Sequence, residues 1–186
     1  MASPTEMRTM TTWSRVMRGS VSPEGDIEDY ITGGPPEWRE LMRASGALDV
    51  LTAAYRRAIE DALPASVSLD GTQFVGPAQP DDDEWDGYCV DEGGELDIEE
   101  IVQGVDLAEI AEEHDVITLG EVGRDILRSR AKNPSSAASR AMLRAGVRPM
   151  ARVQIGGEGQ PQSVYWAVEV ARALAARPGR GRSREH

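Results

Sequence analysis

The sequence predicts a mainly α-helical chain with small β-ribbons, built in two parts of opposite charge. Apolar residues recur at three- and four-residue spacings in several stretches, the period of an amphipathic helix. Between them, Asp-Gly and Gly-Gly pairs separate short runs rich in β-branched and aromatic residues, a hairpin signal. The charge is divided as well. Residues 1–115 carry 7 Arg against 27 Asp and Glu, a net of −20, whereas residues 116–186 carry 12 Arg and one Lys against 5 acids, a net of +8; together they restore the overall −12. Such asymmetry between halves points to a nucleic-acid-binding segment joined to an acidic partner segment.

Composition bounds the chemistry. A chain of 186 residues holds one ordinary domain or two very small ones. Its 40% hydrophobic content supports a core, and with aromatics at 5% that core must rest on Leu, Ile, Val, Ala and the 7 Met. The single Cys89 excludes an internal disulfide framework and a cysteine-rich zinc site, and two histidines, His114 and His186, are too few for a His-built metal or catalytic centre. No apolar run approaches the ~20 residues needed to span a bilayer, and the N-terminus carries no basic-then-apolar leader. The expectation is a soluble cytoplasmic protein with no membrane partner, no metal, no cofactor and no catalytic residues, hence not an enzyme.

Residues 1–36 mix Ser, Thr, Pro, Gly and charges and end in Gly33-Gly34-Pro35-Pro36, which predicts a mobile arm with at most one short helix near Trp13 to Met17. An acidic helical region with short hairpins follows over 37–115. Pro36 suits a first helical turn, and Trp38, Leu41, Met42, Leu48, Leu51, Tyr55, Ile59 and Leu63 keep helical spacing as far as Pro64. Gly46 interrupts them, so one kinked helix or two stacked ones are expected. Val67 to Leu69 and Gln73 to Val75 pair around Asp70-Gly71. A second hairpin is expected from Tyr88 to Leu96, turning at Gly93-Gly94. A helix is then read from Asp97 to His114, with Asp97 as N-cap and Glu99 and Glu100 in its first turn.

After Asp115 the elements change character. Thr118 reads as an N-cap with Glu121 completing a capping box, and Leu119, Val122, Ile126 and Leu127 supply the inner face of a helix ending near Arg128. Ser129 to Asn133 forms a turn. Pro134 opens a second helix, whose inner side is expected to be Ala137, Ala138, Ala141, Met142 and Leu143, and Gly146 stops it. Arg148 to Ile155 and Gln162 to Trp166 flank a Gly-rich tip as a β-ribbon. A helix over Ala167 to Ala176 closes the 116–176 domain, and 177–186 is a basic tail.

Helix, turn, helix, ribbon, helix is the order of a winged helix-turn-helix domain, and the side chains suit it. Small residues let a recognition helix approach a DNA groove, and polar ones reach phosphates and base edges. Ser135, Ser136 and Ser139 sit near the start of the second helix, where amides and hydroxyls can meet phosphate, and Arg140 and Arg144 share one face. Arg128, Arg130 and Lys132 line the turn, Arg148 and Arg152 lie on the first ribbon strand, and Arg180 and Arg182 belong to the tail. These twelve residues are the expected DNA contacts.

The run Thr118-Leu119-Gly120-Glu121-Val122-Gly123, the Ala-Ser-Arg-Ala segment at 138–141 and the stretch Ser163 to Val170 resemble the MerR-like and excisionase-type winged-helix domains of actinobacterial and phage regulators. The resemblance covers roughly residues 116–184, and the span from Arg128 to Pro134 is longer than that family's usual turn. It implies a small bacterial or phage DNA-binding regulator, acting in transcription or as an accessory factor in excision or recombination. Double-stranded DNA is the expected partner, with a basic protein as a second partner of residues 37–115 and a dimer as one allowed state. The competing reading is an acidic interaction adaptor or a DNA mimic that inhibits a nucleic-acid-binding protein. Two weaker motifs carry nothing. Asp82, Glu84 and Asp86 before Gly87 imitate half of a calcium loop without its closing Glu, and Gly156 to Gly159 lacks the Lys and Ser/Thr of a phosphate loop.

Overall fold

The computed structural model describes residues 14–17, 22–70, 73–77, 87–88, 96–155 and 160–176. The described part is mainly helical, with two small antiparallel sheets. In chain order the elements are β1 (Ser14–Met17), α1 (Pro23–Thr32), α2 (Pro36–Ser45), α3 (Ala47–Ala62), β2 (Ser68–Asp70), β3 (Gln73–Pro77), α4 (Ile98–Gln103), α5 (Leu107–Glu113), β4 (Val116–Thr118), α6 (Leu119–Glu121, prolonged as a π-helical stretch over Val122–Ile126), α7 (Pro134–Ala145), β5 (Ala151–Val153), β6 (Gln162–Trp166) and α8 (Ala167–Ala175). Two compact units emerge, one from Met1–Gly33 with Thr52–Leu107 and one from Gly34–Leu51 with Ala108–His186.

In the first unit, α1 begins where Ser22 Oγ accepts from the Gly25 amide at 3.2 Å, with Pro23 at the first helical position and Glu24 and Asp26 in the first turn. Ile27 and Ile31, four apart on one face, are buried. The C-terminal part of α3 is tied to α1 by two polar contacts. The Tyr55 hydroxyl donates to Asp26 Oδ2 at 3.3 Å, and Arg56 pairs with Glu24. Burial, and then the charge and hydrogen bond of Asp26, push the Tyr55 phenol up to about 12. Strand order is β1-β3-β2, with Leu69 opposite Phe74 and Val16 opposite Val75. Phe74 is fully buried.

The second unit contains a sheet of order β4-β6-β5, in which Val116 faces Trp166 and Arg152 faces Ser163. Its core gathers Val122, Ala138, Ala141, Met142, Tyr165 and Val170. Helix α2 packs on β5. The Trp38 indole N–H donates to Asp115 Oδ1 at 2.7 Å, the same oxygen accepts the Val116 amide at 2.8 Å, and the Asp115 carbonyl accepts from Ala167 N at 2.9 Å. One aspartate thereby joins α2, the start of β4 and the start of α8.

Several expectations need correction. Residues 1–36 are not uniformly an arm, since α1 occupies Pro23–Thr32 and Ser14–Met17 is a strand rather than a helix. Two isoleucines make too sparse a stripe to announce α1, and β1 exists through pairing with residues some sixty positions away in sequence. The helix expected from Asp97 to His114 is two, because the chain turns at Gly104 between α4 and α5. Residues 37–115 do not pack as one body, since Gly34–Leu51 and Ala108–Asp115 group with the basic C-terminal part. The charge division after Asp115 does not mark the boundary between the units. By contrast, α2 and α3 meet at Gly46 with φ 78°, and β2 pairs with β3 as expected, with Asp70 opposite Gln73. The second expected hairpin, the acidic run at 81–84, the ribbon tip and the tail lie wholly or largely outside the described residues.

Candidate nucleic-acid interface

The placement of α7 begins with β4. Thr118 ends that strand in an extended conformation, and its hydroxyl accepts from the Glu121 amide at 3.3 Å. Glu121 Oε2 reaches back to the Thr118 amide at 2.8 Å and hydroxyl at 2.7 Å, so the capping box is closed from both sides. The helix then widens. Leu127 N donates to Val122 O at 2.9 Å and Ser129 N to Gly123 O at 2.9 Å, the first an i→i+5 bond of the π-helical stretch. Arg128 follows with φ 48°, a left-handed conformation uncommon outside Gly, Asn and Asp, and turns the chain out of the helix.

Gly123 sets how closely the two helices approach. A Cβ at this position would lie 2.4 Å from the Pro134 carbonyl oxygen and 2.6 Å from its carbon, so only a residue without a side chain fits. Ser135 lies at the same crossing, its hydroxyl 3.8 Å from where a Cβ on Gly120 would stand. Asn133 caps α7 by accepting the Ser136 amide at 3.3 Å, and Gly146 ends it in the left-handed conformation.

With Ala138, Ala141 and Met142 buried, the opposite face of α7 presents Ser136, Ser139, Arg140 and Arg144, all exposed. Residues 126–157 contain Arg128, Arg130, Lys132, Arg140, Arg144, Arg148 and Arg152 and no Asp or Glu. All seven cations are exposed, and among the described residues no salt bridge engages any of them. Arg140 forms no salt bridge with the acids of the neighbouring helix, Glu121 and Asp125, and Glu121 is committed to Thr118.

The structure gathers Ser136, Ser139, Arg140 and Arg144 on one helix face, and Arg128, Arg130 and Lys132 on the chain that leads into it. It separates three others. Ser135 is half-buried at the helix crossing, and Arg152 lies on the edge strand β5, with Arg148 in the segment before it. Arg180 and Arg182 lie outside the described residues. Burial raises the Tyr165 phenol above its ordinary range, opposed by a hydrogen bond with Ser163 and the nearby charge of Arg152. His114 accounts for itself structurally, with Nδ1 2.8 Å from the Ile110 carbonyl and its ring edge-on to Trp166 at 6.1 Å.

Sequence reasoning missed two features here. Leu143, expected on the inner side of α7, is 82% exposed. It lies three residues past Arg140 and four past Ser139, a spacing that assigns it to the polar face. The second is β4, which adds a third strand to the ribbon. Among the described residues no group of three or more His, Cys, Asp or Glu is placed to hold a metal ion, and no helix is long and apolar enough to cross a membrane. Comparison with family models, curated proteins and solved structures returns no match.

Proposed function

We propose that the chain is a small DNA-binding regulatory protein of bacterial or phage type, with its second unit acting as a winged helix-turn-helix. The observation that carries this reading is the exposed Ser136-Ser139-Arg140-Arg144 face of α7, whose arginines form no salt bridge among the described residues, within a 32-residue stretch that has seven cations and no carboxylate. Topology supports it, because helix α5, strand β4, helices α6 and α7 and the β5–β6 ribbon follow the order of a winged domain, with β4 completing the ribbon's sheet. The resemblance to MerR-like and excisionase-type domains points the same way. It spans transcriptional regulators and accessory factors of excision or recombination.

In this reading α7 enters the major groove. Arg140 and Arg144 supply the long, forked donors suited to guanine O6 and N7, and Ser136 and Ser139 are short donors that let the backbone come close. Arg128, Arg130 and Lys132 neutralise phosphates on the approach to the helix, and Arg148 and Arg152 do so beside the ribbon. None of these roles needs a cofactor.

The test is binding of the full chain to mixed-sequence duplex over a salt series, followed by selection from random duplexes. Affinity falling steeply with salt, and a recovered motif, are expected. Arg140→Ala or Arg144→Ala then costs about 1–3 kcal/mol at the recovered site and relaxes preference at one base pair, whereas Arg152→Ala weakens all sites alike. Absence of duplex binding rejects the reading and leaves the acidic adaptor, for which the net −20 of residues 1–115 is the supporting observation.

A further inference from the structure

Leu143 is twice as exposed as any other large apolar residue the structure describes, at 82% against 42% for Val50. Its position makes that exposure informative. At 100° per residue, Leu143 falls between Ser136, Ser139 and Arg140 around the helix, near the middle of the exposed face, while Ala138, Ala141 and Met142 turn away into the core. Arg140 lies three residues before it and Arg144 next to it. Any surface these two guanidinium groups engage is therefore brought against the leucine as well.

We infer that Leu143 packs on the C5-methyl group of a thymine in the major groove and so sets a base preference at one position of the DNA site. The inference rests on the proposed function. Its added content is the chemistry of one contact. Phosphate and sugar offer nothing to an isobutyl side chain lying among serines beside an arginine. Along the major-groove edges of the four base pairs, the thymine methyl is the apolar group. A partner protein seated on the same face would have to be acidic and apolar at once, whereas duplex DNA is anionic everywhere and carries that methyl at defined positions. One buried methyl-sized group is worth about fourfold in affinity.

The experiment starts from the duplex that the full chain selects from a random library. Each thymine in that duplex is replaced singly by deoxyuridine, which deletes only the methyl group. The expected result is one thymine whose replacement weakens the full-length protein about fourfold. Leu143→Ala binds the thymine form weaker by a similar factor and is indifferent to the replacement. Its melting temperature stays unchanged, because the side chain adds little to the core. A selected duplex with no methyl-sensitive thymine overturns the inference, as does sensitivity that persists in Leu143→Ala. Duplex binding with a recovered motif but no methyl effect rejects Leu143 alone, whereas loss of all duplex binding rejects the proposed function with it. Sedimentation supplies the remaining arm, in which a concentration-dependent dimer abolished by Leu143→Ala assigns the residue to a second copy of the chain and overturns the thymine contact.

Discussion

The two small sheets have the same strand order and are held by different means. In each, a strand laid down early joins a hairpin made later, giving β1-β3-β2 in one and β4-β6-β5 in the other. Between β4 and β5 the chain makes α6 and α7, both packed within the same unit as the sheet. Between β1 and β2 it makes α1, α2 and α3, of which α2 and the start of α3 group with the other unit. Strand order alone therefore implies neither how the crossing helices pack nor what they present. What distinguishes the second sheet is a tight chain of local restraints, from the Thr118–Glu121 box through the Gly123–Pro134 approach, that aims a charged helix face outward.

The strongest way to break that difference is to substitute one glycine in each unit. In Gly123→Ala the new Cβ meets a backbone carbonyl, which cannot swing aside, and the expected cost is about 3 kcal/mol or more. In Gly76→Ala the new Cβ meets the Val67 Cγ2 methyl at 3.0 Å, and the expected cost is about 1 kcal/mol, since a side chain can give way. Hydrogen exchange separates the two, with protection lost over 116–176 in the first variant and kept there in the second. Equal effects would mean that the close helix approach is not what sets the second unit apart.

The caps offer a milder version. Glu121→Ala removes both bonds to Thr118, leaving a buried amide without its carboxylate, and should destabilise by about 1–2 kcal/mol. Ser22→Ala removes one exposed cap bond from α1 and should cost about 0.5–1 kcal/mol. Denaturant midpoints at constant m compare them directly, and a larger loss from Ser22 would reverse the ranking.

Alkaline pH probes the first unit by titration. The Tyr55 phenol holds its proton in the fold up to about 12, against 10.0 when free, so its contribution is fully present below pH 10 and is lost as pH rises from 10 towards 12. Tyr55→Phe should flatten the fall in stability across that window. An unchanged slope would mean that the Tyr55 phenol does not govern it. Tyr165 shifts in the same direction, with Arg152 opposing the rise.

Legibility in the sequence followed the range of the interactions. The capping box at Thr118, the opening of α7 at Pro134, its stop at Gly146 and the pairing of β2 with β3 are written within a few residues and could be read directly. The strands β1 and β4 could not, because three or four residues carry no period of their own and exist through partners far along the chain. Leu143 was misplaced for a related reason. When alanines fill a helix's inner side, the apolar stripe loses contrast, and a leucine next to Met142 reads as its continuation. The cation positions were legible in the sequence, but that Arg140 and Arg144 are exposed without a salt bridge among the described residues, while Ser135 turns into the crossing, required the backbone.

Neither compact unit is a continuous length of chain, and this has a consequence for synthesis. Residues of the first unit are complete once Leu107 has been added, but α2, made earlier, still lacks the strand on which it packs. At about 5–20 residues per second, the roughly 100 residues between α2 and β5 impose a wait of roughly 5–20 s. Asp115, the acceptor for the Trp38 indole, is itself made 77 residues after it. A nascent chain stalled after Leu107 and before β5 should carry the first unit folded and α2 still open to protease, and completion of β5 should protect α2.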